Sequence, residues 1–173
     1  IVNHESSGAG PDTVLTLVIG GVDATLVARA QAVGSSYSSE MWEAEVPTGA
    51  DGTVVVTWSA GQTSCGLGLF AVYGAVSTYS DNATANQSAS ALTASIDVPA
   101  GGVIVGGSHT NAGATWSWTN LTEAYDEAVE SSRTHSGASA AFAATQTAFD
   151  ITATASAFAN SQSMVVGAWG PAA

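Results

Sequence analysis

Polar and apolar positions alternate along this chain in short runs and almost never recur at helical spacing. No window carries a sustained apolar i, i+3, i+4, i+7 stripe with caps, because β-branched residues and glycines interrupt each one. Strand signals recur instead, bounded by Gly, Pro, Asn, Asp and Ser. TVLTLVIGG (13–21) reads as a strand, as does ATLVARAQAV (24–33), where Leu26, Ala28 and Ala30 alternate with Val27, Arg29 and Gln31. SEMWEAEVP (39–47) alternates more cleanly, and GTVVVTWSA (52–60) is a β-branched run. CGLGLFAVYGA (65–75) is apolar on both faces, as a buried central strand requires. VSTYSDNATANQSAS (76–90) has no periodicity and no bulky residue except Tyr79, which predicts the longest surface loop. Further strands are expected at 91–99 and 101–110, at two or three places between 114 and 145, and at 149–158 and 162–170.

About ten short strands joined by tight turns predict an all-β chain, an antiparallel β-sandwich of jelly-roll-like form, as one domain over 13–173. Residues 1–12, IVNHESSGAGPD, carry no core pattern and read as an N-terminal arm or linker. One local pattern occurs twice, in AEVPTGADGTVVVTWS and SIDVPAGGVIVGGSH: an acid, Val and Pro, then glycine before a β-branched run. Pro closes one strand, and Gly permits the turn into the next.

Charge narrows the partners. Charged residues make up 9% of the chain, against roughly 25% in a typical soluble domain. There are 14 acids and two bases, Arg29 and Arg133, so the net charge is −12 and no lysine occurs. Such a chain has no basic patch with which to neutralise phosphates or an anionic membrane face, so neither nucleic acid nor membrane is expected as a partner. A surface rich in Ser, Thr, Ala and Gly suits an extracellular or virion-exposed protein. The single cysteine, Cys65, lies in an apolar run and reads as a buried thiol. No apolar stretch approaches the ~20 residues of a spanning helix. The chain begins with Ile and shows no signal peptide, which reads as processing or as part of a longer product.

Candidate chemistry is sparse. His4, His109 and His135 are scattered without ligand spacing, so no zinc is expected. DNATANQ at Asp81 has one carboxylate where calcium loops use several. There is no G-x-S-x-G elbow, and GGVIVGG lacks the lysine and helix of a phosphate loop. No cofactor and no catalytic residue is therefore assigned. The densest stretch is TWSWTNLTEAYDEAVESSRTHSGASAAFA (115–143), with Glu123, Asp126, Glu127 and Glu130. In an unbroken strand Glu123 and Glu127 share one face, about 13 Å apart, while Asp126 and Glu130 share the other. Acid–base pairs of glycosidases stand about 5 to 9 Å apart, so the spacing argues against hydrolysis. Trp116 and Trp118 should point together into the core, leaving the acids on a solvated face or edge. Tyr79, Trp116 and Tyr125 are the residues placed to contact a ligand or partner. Sequons stand at Asn82, Asn86 and Asn120.

VGSSYSSEMWEAEVPTGADGTVVVTWSAGQTSCGLGLFAVYGA, LTASIDVPAGGVIVGGSH, the stretch around WTNLTEAYD, and SMVVGAWGP follow one another over roughly residues 35–171. This succession resembles a β-sandwich module of tailed-phage structural proteins and of gene-transfer-agent-like regions of proteobacteria. The resemblance implies a non-enzymatic virion protein displayed on the particle surface: a capsid decoration or head-fibre-type component. It implies homo-oligomers and contacts with other capsid or tail proteins. A different class remains beside it, a module of a tail fibre or secreted protein that binds a host surface glycan or receptor, since jelly rolls often serve as lectin-like domains.

Overall fold

The computed structural model describes residues 1–6, 13–31, 36–47, 52–87, 89–130, 132–157 and 161–173. Among them are 15 strands and no helix. They are β1 (Val2–Ser6), β2 (Val14–Ile19), β3 (Val22–Asp23), β4 (Thr25–Gln31), β5 (Tyr37–Glu43), β6 (Val54–Trp58), β7 (Gln62–Leu67) and β8 (Asp81–Gln87). The rest are β9 (Ala91–Val98), β10 (Val103–Thr110), β11 (Trp116–Thr119), β12 (Thr122–Glu130), β13 (Arg133–Ala141), β14 (Gln146–Ala155) and β15 (Gln162–Trp169).

These strands form four antiparallel sheets. A five-stranded sheet, ordered β12-β13-β10-β15-β8, lies at the centre of the molecule. A four-stranded sheet, β4-β5-β1-β7, packs on one of its faces, and β11-β14-β9 packs on the other. The small sheet β3-β2-β6 covers the far side of the four-stranded sheet through Val2, Val14, Leu17, Trp42 and Trp58. The all-β sandwich expected from the sequence is present, but with more and shorter strands than about ten.

Covering on both faces explains the composition of the central strands. Every residue of β15, QSMVVGAW, is buried, and β10, VIVGGSHT, is nearly so. Such strands cannot alternate apolar with charged residues, since neither face meets water. They alternate instead between two cores. Ile104, Met164, Val166, Ala168 and Ala138 pack toward Leu92, Ile96, Trp116 and Ile151. Val105, Val165 and Trp169 pack toward Val27, Ala28, Ala30 and Met41. The turns follow their sequence signals: Gly20 and Gly21, at φ 58° and 84°, join β2 to β3, the double positive φ of a two-residue hairpin. Gly102 N donates to Pro99 O across Gly101, at φ 77°.

Four local expectations change. Residues 65–75 do not form a central strand: β7 stops at Leu67 and lies at the edge of its sheet, and Leu69, Val72, Tyr73 and Val76 are exposed. An apolar run without alternation fits an exposed segment as well as a buried strand, and periodicity does not distinguish them. Cys65 is exposed, because Ser64, Gly66 and Gly68 face the central sheet and turn Cys65 away from it. The stretch expected as a polar loop contains β8, which pairs with β15 and places Ala83 and Ala85 against the core. Its side chains are too small to announce burial. Finally, the residues read as an arm include β1, an internal strand between β5 and β7 with Val2, Asn3 and His4 buried. Residues 7–12 of that segment lie outside the described residues.

Candidate functional site

The acidic stretch 122–130 is a strand with two bulges, and these change which side chains share a face. Register slips between Glu123 and Tyr125, so Glu123 stands opposite Ala138 while Asp126 stands opposite Ser136. Glu123 and Asp126 thus lie on one face of β12, contrary to the regular alternation expected above. Partial desolvation, and then the Asp126 charge, raises the Glu123 carboxyl above its usual value. Asp126 has a structural task, since its Oδ2 accepts the Trp116 backbone N–H at 2.8 Å and ties β12 to β11. Glu130 pairs with Arg133 at 2.6 Å, and Arg133 also meets Glu5. Glu123 is exposed, and neither cleft described below borders it.

The aromatic residues are divided between core and cleft. Trp116 is 5% exposed and sits in the core beneath β11. Trp118 shares its face and donates Nε1–H to Ser136 Oγ at 2.8 Å. The ring of Tyr125 lies over Gly137 and beside Gly68, where a Cβ on either glycine would overlap it. Its hydroxyl is buried without a hydrogen-bond partner, and burial raises its pKa. Trp116 is thus a core residue, and Tyr125 is a half-buried ring packed between β7 and β13. Tyr79 does line a cleft of about 470 Å³, together with Asp23, Thr25, Glu43, Glu45, Ser77 and Thr78. Glu43 is partly committed there, because its Oε2 accepts Trp169 Nε1–H at 2.5 Å. A second cleft of about 240 Å³ has Phe70, Tyr73, Val103, Val105 and Trp169 in its walls. Of the sequon residues, Asn82 and Asn86 lie in β8, and Asn120 donates its side-chain amide to Asp150 O at 2.7 Å.

Sequence reasoning left the histidines scattered, yet the fold gathers them with other polar groups into two buried networks. His109 and His135 are direct cross-strand partners on β10 and β13, and both face the four-stranded sheet. Asn3 Nδ2 lies 3.4 Å from His135 Nδ1, and Asn3 Oδ1 accepts from Ser39 Oγ at 2.6 Å. Ser39 Oγ in turn lies 2.7 Å from Ser163 Oγ, which closes a path from one sheet to the other. Tyr37 packs tilted against His109, with Arg133 over its ring. Desolvation holds both imidazoles below their ordinary pKa, His109 at about 3, with the nearby His135 adding to its shift.

Glu40 organises the second network from a position with no solvent exposure. Its carboxylate meets His4 Nε2 at 3.2 Å, Val14 N at 3.1 Å, Arg29 at 3.1 Å and Trp42 Nε1 at 2.9 Å. These bonds outweigh its desolvation and lower its pKa. His4 Nδ1 lies 3.0 Å from Gln62 Oε1, so both ring nitrogens are engaged. A histidine beside a buried carboxylate has the composition of a catalytic dyad, but a general base needs a free nitrogen facing a substrate or nucleophile. Here there is none. Among the described residues no three His, Cys, Asp or Glu side chains converge as metal ligands.

No protein-family model matches the chain, and no curated protein or solved structure matches it.

Proposed function

We propose that this chain is a non-enzymatic structural protein displayed on the outside of a virion, of the capsid-decoration or head-fibre type. One observation carries the non-enzymatic part: the groups that could act as acids or bases are sealed between sheets. His4, His109, His135 and Glu40 are all buried, and none borders either cleft. Four stacked sheets with sparse surface charge support a role as a durable module, and the resemblance over residues 35–171 supports the virion setting. The test is to purify particles from the producing culture and locate this chain by immunogold labelling and by density at subnanometre resolution. Recovery of the chain only as free protein, with particles lacking it, would overturn the proposal.

A second reading is favoured by one feature, the cleft in which Tyr79 stands beside carboxylates and hydroxyls. An aromatic face among hydrogen-bonding groups suits a sugar ring, which would make this a glycan-binding module. A glycan array with the parent protein and Tyr79→Ala decides it. Binding by the parent and loss in the variant support this reading, and a parent that binds no glycan ends it.

A further inference from the structure

Two layers join the three larger sheets, and they differ in kind. The five-stranded and three-stranded sheets meet through a large apolar cluster with Leu92, Ile96, Ile104, Ile151 and Met164 at its heart. That cluster contains no histidine, and Asp81 and Asp126, which reach toward it from β8 and β12, accept backbone N–H groups of Asp97 and Trp116. The five-stranded and four-stranded sheets meet through a smaller apolar cluster that includes Ala30, Met41, Val105 and Val165. Polar groups make up the rest of this second layer: Asn3, Ser39, Ser163 and the His109–His135 pair.

His109 has no counter-charge there. It is 1% exposed, its Nδ1 lacks a hydrogen-bond partner, and the ring packed on it is the neutral Tyr37 of β5, 5.6 Å away. Carboxylates approach the pair only from the side of His135. Glu127 of β12 stands opposite His135, with Asp126 beside it, while Glu5 of β1 and Glu130 of β12 both pair with Arg133 of β13. The other ionisable groups on this layer are Tyr125 and the Ile1 amine, which donates to Gly68 O. β7 and β15 bring Gly66 and Ser163, which do not titrate. His4 lies behind β1, bonded to Glu40. Desolvation, and then like charge from His135, His4 and Arg133, hold His109 at a pKa of about 3. A proton therefore reaches His109 far more readily once the layer has opened.

Proteins open locally where fewest apolar contacts must be given up. We propose that the contact between the four-stranded and five-stranded sheets is an acid-released latch: a proton on His109 parts these two sheets, while the five-stranded and three-stranded sheets stay packed. Parting uncovers Ala30, Met41 and Val165, an apolar face that is closed at neutral pH. In the parted state His109 titrates near its ordinary 6.5, so the parted population grows as pH falls from there toward 3. Between pH 7 and pH 5 the growth is about twentyfold from His109 alone. His135 is shifted in the same direction and adds to it. The latch belongs to the fold and holds wherever the protein is displayed.

The chain's two methionines stand one in each layer, which supplies the test. Met41 is 2% exposed and its sulfur lies against Gly167 of β15, whereas Met164 is fully buried in the cluster on the other face of β15. Hydrogen peroxide transfers one oxygen to an accessible thioether, giving a sulfoxide that peptide mass spectrometry assigns to either residue. Free methionine treated alongside corrects for any effect of pH on the reagent. On the whole chain, Met41 oxidation should quicken about twentyfold from pH 7 to pH 5 and at pH 5 outrun Met164 by at least about tenfold. His109→Gln, neutral at both pH values, should keep Met41 near its pH 7 rate. A Met41 rate that does not rise overturns the proposal. Equal rates at the two methionines at pH 5 also overturn it, since they report unfolding of the whole molecule. So does a His109→Gln variant that keeps the parent's rise. Should that variant fail to fold, the two methionines of the parent decide alone.

Discussion

At the scale of single residues, burial without charge compensation sets how the molecule responds to acid. His109 is fully buried with its pKa pushed to about 3, whereas in an unfolded chain it titrates near 6.5. Between those values the unfolded chain binds a proton that the folded one refuses, so stability falls as pH drops below about 6.5. The slope is about 1.4 kcal/mol per pH unit for one such histidine. His135 is shifted the same way and steepens the fall. Glu40, shifted down, is stabilising above its ordinary value of 4.5 and adds its own loss below that pH. Urea unfolding at intervals from pH 7 to pH 4 should show this decline, and His109→Gln should flatten it. An unchanged slope in that variant would assign the acid response elsewhere. Tyr125 gives a second contrast. Its hydroxyl has no partner, so Tyr125→Phe should change stability by less than about 0.5 kcal/mol or raise it. Gly137→Ala drives a methyl into the ring and should cost about 1 to 3 kcal/mol. Thermal melts of the two variants compare them directly.

Between strands, a few side chains decide how sheets are joined. Glu40 holds β1 through His4, β2 through Val14, β4 through Arg29 and its own strand through Trp42, so one carboxylate ties the four-stranded sheet to the small one. Glu40→Ala strands a buried histidine and an arginine and should cost about 3 to 5 kcal/mol, read by chemical denaturation. A loss below 1 kcal/mol would show that the network relaxes around the gap. These elements were unequally legible from sequence. ALTASIDVP announced β9, because that strand has one covered face and alternates accordingly, and SEMWEAEVP announced β5 by its spacing although Ser39, Glu40 and Met41 are all buried. β8 was hidden because its core contribution is two alanines among Asn and Thr. β1 was hidden because, beside Val2, its buried residues include Asn3 and His4, which are polar and are satisfied by partners far along the chain. The face of Glu123 was misread for a similar reason: a bulge depends on its partner strand and leaves no mark in the spacing of acids. The buried histidine pair was out of reach too, since residues 109 and 135 meet only through register.

Across the whole molecule, charge is sparse and part of it lies inside. Charged residues are few, and several of them lie inside: Glu40 is buried, and Glu5 and Arg133 are largely so. The surface keeps exposed Ser, Thr and Ala with acids spread along it, so solubility rests on hydroxyls and on the excess of negative charge. The two arginines have a separate consequence. Trypsin cuts only after Lys or Arg, which leaves this chain two sites, after Arg29 and Arg133. Both lie within strands, where β4 is laddered to β5 and β13 to β10 and β12. A protease must draw the chain out extended to cleave it, and neither bond can be drawn out while its sheet is closed. The native protein should pass through digestion intact, and after denaturation it should yield only three pieces.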